Sequence, residues 1–425
     1  MRGFSYLGDA LREGLRAVVG VAVLAIRVLV RAVPRRREVW LFGSWYGTRF
    51  AGSPRALFLY CLRHRPDLSV AWITRRRSLV QELRRLGLPV YHRFSLRGLW
   101  LSVRAGVYLF DCRSSDVNYV TSAGAVNVNL WHGIPLKRIE HDIADPSHPF
   151  QRSHIGSWWM RALQRLSHPT NGERYDLLCA ASPFVARRLA QAFRIPVSRV
   201  LVAEAPCNDA LVAGPEAYEP LREAEAALVG QLHQSRQAGR RLIAYLPTFR
   251  DRSPETPEVA LDLTALEAML GRYDAILWCK LHGEDRRRFA GATGAERVRV
   301  LPTDTDASLL LHFMDVLITD YSSVYFDFLL LDRPIVFFAY DLAEYQRSSR
   351  SLYDPYERVT PGPIVRTTTA LMEALEEVLS AYEDGSGKYA KARQELCARV
   401  HGPLPTGTRA SAAAYATIAQ TLAAE

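Results

Sequence analysis

The sequence predicts an α/β protein built from two Rossmann-like, doubly wound halves. Along most of the chain, short apolar runs alternate with segments of helical periodicity, as expected of parallel strands covered by helices on both faces. The 425 residues exceed the size at which a single core keeps growing, so two domains of roughly 150 to 200 residues are expected. A polar stretch rich in alanine and glutamate, LVAGPEAYEPLREAEAALVGQLHQSRQAG from position 211, separates one strand series from the next.

The amino terminus comes first and stands apart. Residues 1–37 hold eight arginines, no lysine and two acids, Asp9 and Glu13, so much of the net charge of +10 lies there. The uninterrupted apolar run from Ala17 to Ile26 is too short to cross a bilayer. A signal peptide carries its positive charge before the apolar run, whereas the heaviest block here, Arg35 to Arg37, follows it. Residues 1–34 therefore read as an amphipathic helix lying in an anionic membrane surface, its arginines meeting lipid phosphates at roughly 1 kcal/mol each. The alternative is a helix packed on the protein's own core.

Strands follow at EVWLFGS (38–44), SVAWITR (69–75), GVYLFD (106–111), AVNVNLW (125–131), YDLLCAAS (175–182) and RVLVAEAP (199–206), with helices such as SPRALFLYCLRHR and SLVQELRRLG between them. The second series is RLIAYLPTF (241–249), AILWCKLH (275–282), RVRVLP (297–302), DVLITDYSS (315–323) and RPIVFFAY (333–340), and an alanine-rich helix closes the chain. The expected organisation is an amino-terminal helix (1–34), a first half (35–210), a linker (211–240), a second half (241–380) and carboxy-terminal helices (381–425), with a cleft between the halves. The six cysteines stand far apart without a C-x-x-C pair, several inside apolar strands. That fits buried thiols in a reducing cytoplasm and no zinc site.

Candidate chemistry gathers at strand ends. In NLWHGIPLKRI (129–139), Gly133 and Pro135 stop a strand and leave His132 at its carboxyl end, where open α/β sheets bind ligands. A satisfied loop histidine is the alternative. In LITDYSSVYFDF, Asp320 completes a strand, Ser322 and Ser323 are N-cap residues, and the helix start offers backbone N–H groups to a diphosphate at roughly 0.3 to 1 kcal/mol per contact. Asp327, one turn on, either accepts a ribose hydroxyl or faces solvent. YLPTFRD ends another strand with Thr248 and Arg250, and CKLHGED places Lys280 and His282 two apart on one face of an extended chain.

Together NLWHGIPLKRI, YLPTFRD, KLH and TDYSSVYFDFLLLDRPIVFFAYDLAEY resemble the CDP-glycerol glycerophosphotransferases of bacterial wall teichoic acid synthesis, across roughly residues 36 to 380. The resemblance implies a GT-B fold, acceptor elements in the first half, a CDP-activated donor on the second, and a peripheral protein on the cytoplasmic membrane face. It also implies a base on one side of the transferred phosphorus and charge stabilisation on the other. His132 takes the first role. His282 falls on the donor side, binding phosphate or protonating the departing CMP, with Thr248, Arg250, Lys280 and Asp320 beside it. Ser322 and Ser323 hold the diphosphate, Asp327 the ribose, and Gly133 and Lys137 lie on the acceptor side.

The chain departs from the family pattern at Ile134, where threonine is usual, at Glu204 and Cys207 within EAPCND, and at Gly283 after KLH. CDP-ribitol stays open as donor, and so do a capsular acceptor and a sugar-nucleotide-dependent GT-B glycosyltransferase. A non-catalytic binder of polyanions or membranes is the remaining class, suggested by Arg75 to Arg77, Arg286 to Arg288 and the basic pI of 9.4. Those triplets lack the interleaved aromatics that stack on bases, which argues against nucleic acid. The acids form no recognisable ligand cluster, so no cofactor is implied and a Mg2+ requirement is left open.

Overall fold

A computed structural model describes residues 2–145, 148, 151, 157–171, 173–248, 263–281, 296–348, 351–380, 387–402 and 409–424. Arg250 and His282 lie outside them, as do the triplet at 286–288 and Gly283. The chain divides into two compact units: Met1–His132, Arg138–Cys207 and Gly407–Glu425 form the first, and Gly133–Lys137 and Asn208–Thr406 the second.

The first unit opens with helix α1 (Arg2–Arg31) and continues β1 (Arg36–Phe42), α2 (Gly52–His64), β2 (Ser69–Thr74), α3 (Arg77–Arg85), β3 (Val90–His92), α4 (Leu96–Arg104), β4 (Ala105–Phe110) and β5 (Val126–Asn129). Then come α5 (Trp158–Ser167), β6 (Leu177–Ala180), α6 (Pro183–Phe193) and β7 (Val200–Val202). The strands pair in parallel in the order β3-β2-β1-β4-β5-β6-β7. β4 is buried at every position because helices cover both its faces. Phe42, Phe50, Phe58 and Trp72 make the aromatic centre of the core, with Phe50 edge-on to Trp72 at 4.7 Å. Local signals set the helix starts: the Ser182 hydroxyl accepts from Val185 N, and Pro183 stands in the first turn of α6.

The second unit contains α7 (Asn208–Val212), α8 (Glu223–Gln237), β8 (Arg241–Tyr245), α9 (Leu263–Arg272), β9 (Ala275–Cys279), β10 (Val298–Val300), α10 (Ala307–Leu311), β11 (Val316–Thr319), α11 (Val324–Phe328) and β12 (Ile335–Phe338). It ends with α12 (Leu342–Ser348), β13 (Ile364–Val365), α13 (Thr368–Ser380) and α14 (Ala390–Val400). Its sheet is parallel in the order β10-β9-β8-β11-β12-β13. Residues 211–240, expected as a linker, hold the whole of α8, with Leu228, Val229 and Leu232 buried. The last helix, α15 (Ala410–Ala424), belongs to the first unit, where it packs on α2 and brings the Tyr415 ring to 5.6 Å from Trp40.

Both sheets reverse strand order beside their first strand, between β1 and β4 and between β8 and β11. The crevice outside the strand carboxyl ends at such a switch point is where open α/β sheets take ligands. β3 and β13, three and two residues long, are edge strands that the sequence pattern passes over.

Helix α1 lies along α5. At Gly20 a Cβ would run into the backbone carbonyl of Leu166, so only glycine permits that approach. Ala17, Gly20 and Val30 form the buried stripe, whereas Leu15, Val18, Val19, Val21, Ile26, Val28 and Leu29 are exposed. Two arginines expected at lipid phosphates are engaged inside the protein. Arg27 donates to the Tyr119 carbonyl and the Ser122 hydroxyl and stacks on the Tyr119 ring at 3.9 Å. Arg35 donates to the carbonyls of Ser102, Ala105, Thr121 and Ala123, because backbone oxygens in the turn ahead of β5 need donors.

Candidate active site

In the first unit the loops after β1, β4 and β5 meet at the switch point. Asp111, directly after β4, is buried and accepts from Ser44 Oγ at 2.6 Å and from Trp45 N at 3.1 Å. Asp116, also buried, accepts from Tyr46 N and Cys112 N, each at 2.8 Å. These bonds hold Trp45 and Tyr46 in the left-handed region, at φ 48° and 56°, a conformation that costs a bulky residue of order 1–3 kcal/mol. Burial holds both carboxyls above their ordinary range, and for Asp116 the neighbouring Asp111 charge adds to it.

β5 stops at Asn129, three residues before His132. The Asn129 side chain accepts from Trp131 N at 2.8 Å and donates to the Cys112 carbonyl at 3.3 Å, a local turn that replaces the ladder. Trp131 adopts φ 58° and sets its ring edge-on to Phe193 at 5.1 Å. His132 is thereby turned outward, exposed, with its ring 4.2 Å from that of Trp131 and 6.2 Å from that of Trp45. Its Nδ1 lies 2.9 Å from the Asp111 carbonyl oxygen. A carbonyl only accepts, so Nδ1 carries the proton and Nε2 is the basic nitrogen of the neutral ring.

At His132 the chain leaves the first unit, and Gly133–Lys137 is packed within the second. Leu136 O accepts from Tyr353 N at 3.1 Å, Lys137 bridges to Leu352, and the Lys137 ammonium lies 4.9 Å over the Tyr345 ring. Tyr345 stacks on Tyr321 at 3.9 Å, and Tyr321 donates to Asp341 at 3.0 Å. Gly133 has φ +141°, and a Cβ there would stand 3.4 Å from Ser323 Oγ.

Ser323 is the N-cap residue of α11 and makes no capping bond with its side chain, whereas Val324 N donates to Ser322 Oγ at 3.4 Å. α11 is only five residues long and continues as a 3-10 turn, Leu329–Leu331, so the side chains at this junction matter more than a helix dipole. Asp320, buried at 2% exposure, accepts from both the amide and the hydroxyl of Thr248, at 2.8 and 2.6 Å. Those two candidates thus form a clamp between the β8 and β11 ends. Lys280 follows β9 at the same sheet edge, and Asp327 sits half-buried on α11.

Among the described residues, Asp111, Cys112 and Asp116 are the one group close enough to share a metal ion. Their carboxylate oxygens already take the loop donors described above, and burial raises the Cys112 thiol far above its usual range. The group is built as a loop clamp.

A family model described as CDP-Glycerol:Poly(glycerophosphate) glycerophosphotransferase matches residues 25–402. The chain belongs to this family. The teichoic acid glycerol-phosphate transferase of Staphylococcus aureus is 25% identical over 92% of this chain and 97% of its own length. The teichoic acid ribitol-phosphate primase of Bacillus spizizenii is 26% identical over 85% of this chain and 88% of its own. The solved wall teichoic acid polymerase TagF matches with a TM-score of 0.71 at 22% identity, covering 98% of this chain and 97% of that one. The fold is therefore GT-B, two parallel Rossmann-like sheets.

The glycerophosphotransferase-family residues expected from the sequence fall into two groups. His132 stands in the first unit. Thr248, Lys280, Asp320, Ser322, Ser323 and Asp327 stand in the second, and Gly133 and Lys137, expected on the acceptor side, join them there. Sequence reasoning missed Trp45, Asp111 and Asp116. The signal for Asp111 was present, a carboxylate closing the apolar strand GVYLFD. Trp45 carried none, because only the tertiary clamp brings it beside His132.

Proposed function

We propose that the protein transfers glycerol phosphate from CDP-glycerol to a hydroxyl of a lipid-linked acceptor in the synthesis of teichoic acid or a related cell-surface polymer, releasing CMP. The observation that carries this is His132, an exposed imidazole whose Nδ1 is held by the Asp111 carbonyl. The acceptor hydroxyl gives its proton to Nε2 as its oxygen bonds the β-phosphorus, and the bond from that phosphorus to CMP breaks. Ser322 and Ser323 offer hydroxyls to the diphosphate, with Lys280, Lys137, Arg250 and His282 as its cationic partners. The Asp320–Thr248 clamp positions that edge. Asp327 takes the ribose.

On this reading the protein works as a peripheral protein on the cytoplasmic face of a membrane. No helix among the described residues is long and apolar enough to span a bilayer. α1 carries an uncovered apolar side, and α5, which packs against it, carries Trp158 and Trp159 at 76% and 55% exposure with Arg161 and Arg165 also exposed. Aromatic rings with basic neighbours suit the headgroup layer of an anionic bilayer.

Incubation with labelled CDP-glycerol, CDP-ribitol and UDP-sugars in the presence of lipid acceptors tests the reaction. Transfer from CDP-glycerol with release of CMP is expected. Transfer from UDP-sugars alone would overturn it. The kinship with a ribitol-phosphate primase makes CDP-ribitol the second reading.

A further inference from the structure

We propose that Trp45 is the acceptor-recognition ring of this site, and that the acceptor end it takes is a pyranose sugar rather than an open-chain polyol phosphate. This rests on His132 being the base.

The loop after β1 places two large aromatic residues where the backbone favours glycine. Trp45 and Tyr46 are both left-handed, and both rings stay out of the core, at 38% and 52% exposure. Glycine at either position would relieve the backbone, though it would give up the part of the ring surface that each residue does bury. The chain instead sets two buried carboxylates, Asp111 and Asp116, on the amides of those two residues. Strain held in this way beside a reactive group indicates that the ring itself is wanted there.

Geometry then says what the ring can touch. Its centroid is 6.2 Å from that of His132. A hydroxyl within hydrogen-bond reach of Nε2 must therefore be carried by a group within about one ring's width of Trp45. Asp111 sets both distances at once, since its carbonyl holds His132 and its carboxylate holds Trp45. The indole is fixed on one side by the Arg49 guanidinium at 4.7 Å.

A flat, electron-rich indole packs best against a flat patch of C–H bonds. One face of a pyranose ring offers that patch, with its hydroxyls directed outward toward a base. A polyol phosphate chain has no such face and calls for cations. The one arginine within this turn, Arg49, lies against the Trp45 ring, and Arg76, which follows β2, reaches toward the Thr48 carbonyl at 3.4 Å.

Saturation-transfer NMR on the full chain, with methyl pyranosides of neutral and N-acetylated hexoses against glycerol 3-phosphate and its short oligomers, tests this without needing the donor. The unaltered protein should transfer saturation to the C–H face of at least one pyranoside. Trp45→Ala should weaken that binding at least 10-fold and Trp45→Phe should keep most of it. Trp45→Gly, which removes the backbone strain, should keep the native circular dichroism spectrum and a cooperative melt and still lose the pyranoside, separating recognition from folding. Undiminished pyranoside binding by Trp45→Gly, or binding of glycerol phosphate oligomers alone by the unaltered protein, would overturn the proposal. CDP-glycerol titrated in the same samples keeps the two readings apart. If it fails to bind while the pyranoside response still depends on Trp45, the donor assignment falls and this one stands.

Discussion

The imidazole Nδ1 of His132 stands 2.9 Å from the main-chain oxygen of Asp111, and that contact decides which nitrogen can act. Replacing His132 with alanine or glutamine removes the basic Nε2 while leaving Asp111 bonded to Ser44 and Trp45. Turnover should fall by roughly 100-fold or more with donor affinity unchanged, the pattern of a lost general base. Steady-state rates paired with calorimetric titration of CDP-glycerol check this, and near-normal turnover would remove His132 from the mechanism.

Gly133 and Ser323 offer a test on the donor side. Any side chain at position 133 meets an unfavourable φ of +141° and comes within 3.4 Å of Ser323 Oγ. Gly133→Ala and Ser323→Ala should each weaken CDP-glycerol binding by roughly 5- to 50-fold, the scale of one or two lost polar contacts. Unchanged affinity in both variants would put the donor phosphates elsewhere.

Membrane attachment is best tested by substitution. Deleting residues 1–34 would also remove Arg27, which holds the Tyr119 to Ser122 turn. Exchanging Leu15, Val18, Ile26 and Leu29 for glutamine alters exposed positions only. The quadruple variant should stay in the supernatant when anionic vesicles are spun down, and Trp158→Ala with Trp159→Ala should act in the same direction. High salt should loosen the intact protein only in part, because the apolar contribution remains. If the quadruple variant pellets like the intact protein, another surface holds the membrane.

Asp111 and Asp116 give a pH dependence of stability. Burial raises both carboxyls in the folded chain, so the native state binds more protons than the unfolded one above the ordinary carboxyl pKa of roughly 3.9. Their contribution is most favourable below that value and is lost as pH rises through the raised native pKa. Urea unfolding across pH 4 to 8 should show this decline, and Asp111→Asn, which leaves Asp116 without a charged neighbour, should flatten it. An identical slope in the variant would mean that the pair does not titrate as a unit.

Cys61 and Cys179 are buried in the first unit's core, and burial pushes each thiol up to about 12. Neither should alkylate at pH 8 in the folded protein, and both should react once urea unfolds it. Mass spectrometry after a timed iodoacetamide pulse reads this directly, and fast labelling in the native state would show that this core opens.

The strands of both sheets were legible because double-sided burial writes each as an apolar run, and β4 and β12 are buried throughout. Their ends were less legible. AVNVNLW reads as strand to Trp131, but pairing stops at Asn129, whose side chain takes the Trp131 amide in place of a ladder partner. β3 and β13 escaped notice because two or three residues at a sheet edge carry no periodicity. Of the arginines counted at the amino terminus, Arg27 and Arg35 serve oxygens within the protein rather than lipid phosphates, which their spacing in the chain does not reveal.

The amino-acid sequence alone determined the α/β class, the two strand series, the placing of His132, Thr248, Lys280, Asp320, Ser322 and Ser323 at strand ends, and the family resemblance. These follow from local pattern, in which burial and turn chemistry act within a few residues. The tertiary structure alone decided that Asp111 is shared between His132 and Trp45, that Asp320 grips Thr248, and that Gly133–Lys137 departs from its sequence neighbours to pack in the second unit. Each of these joins residues from separate strand ends, and such ends meet only once a parallel sheet has set its strand order.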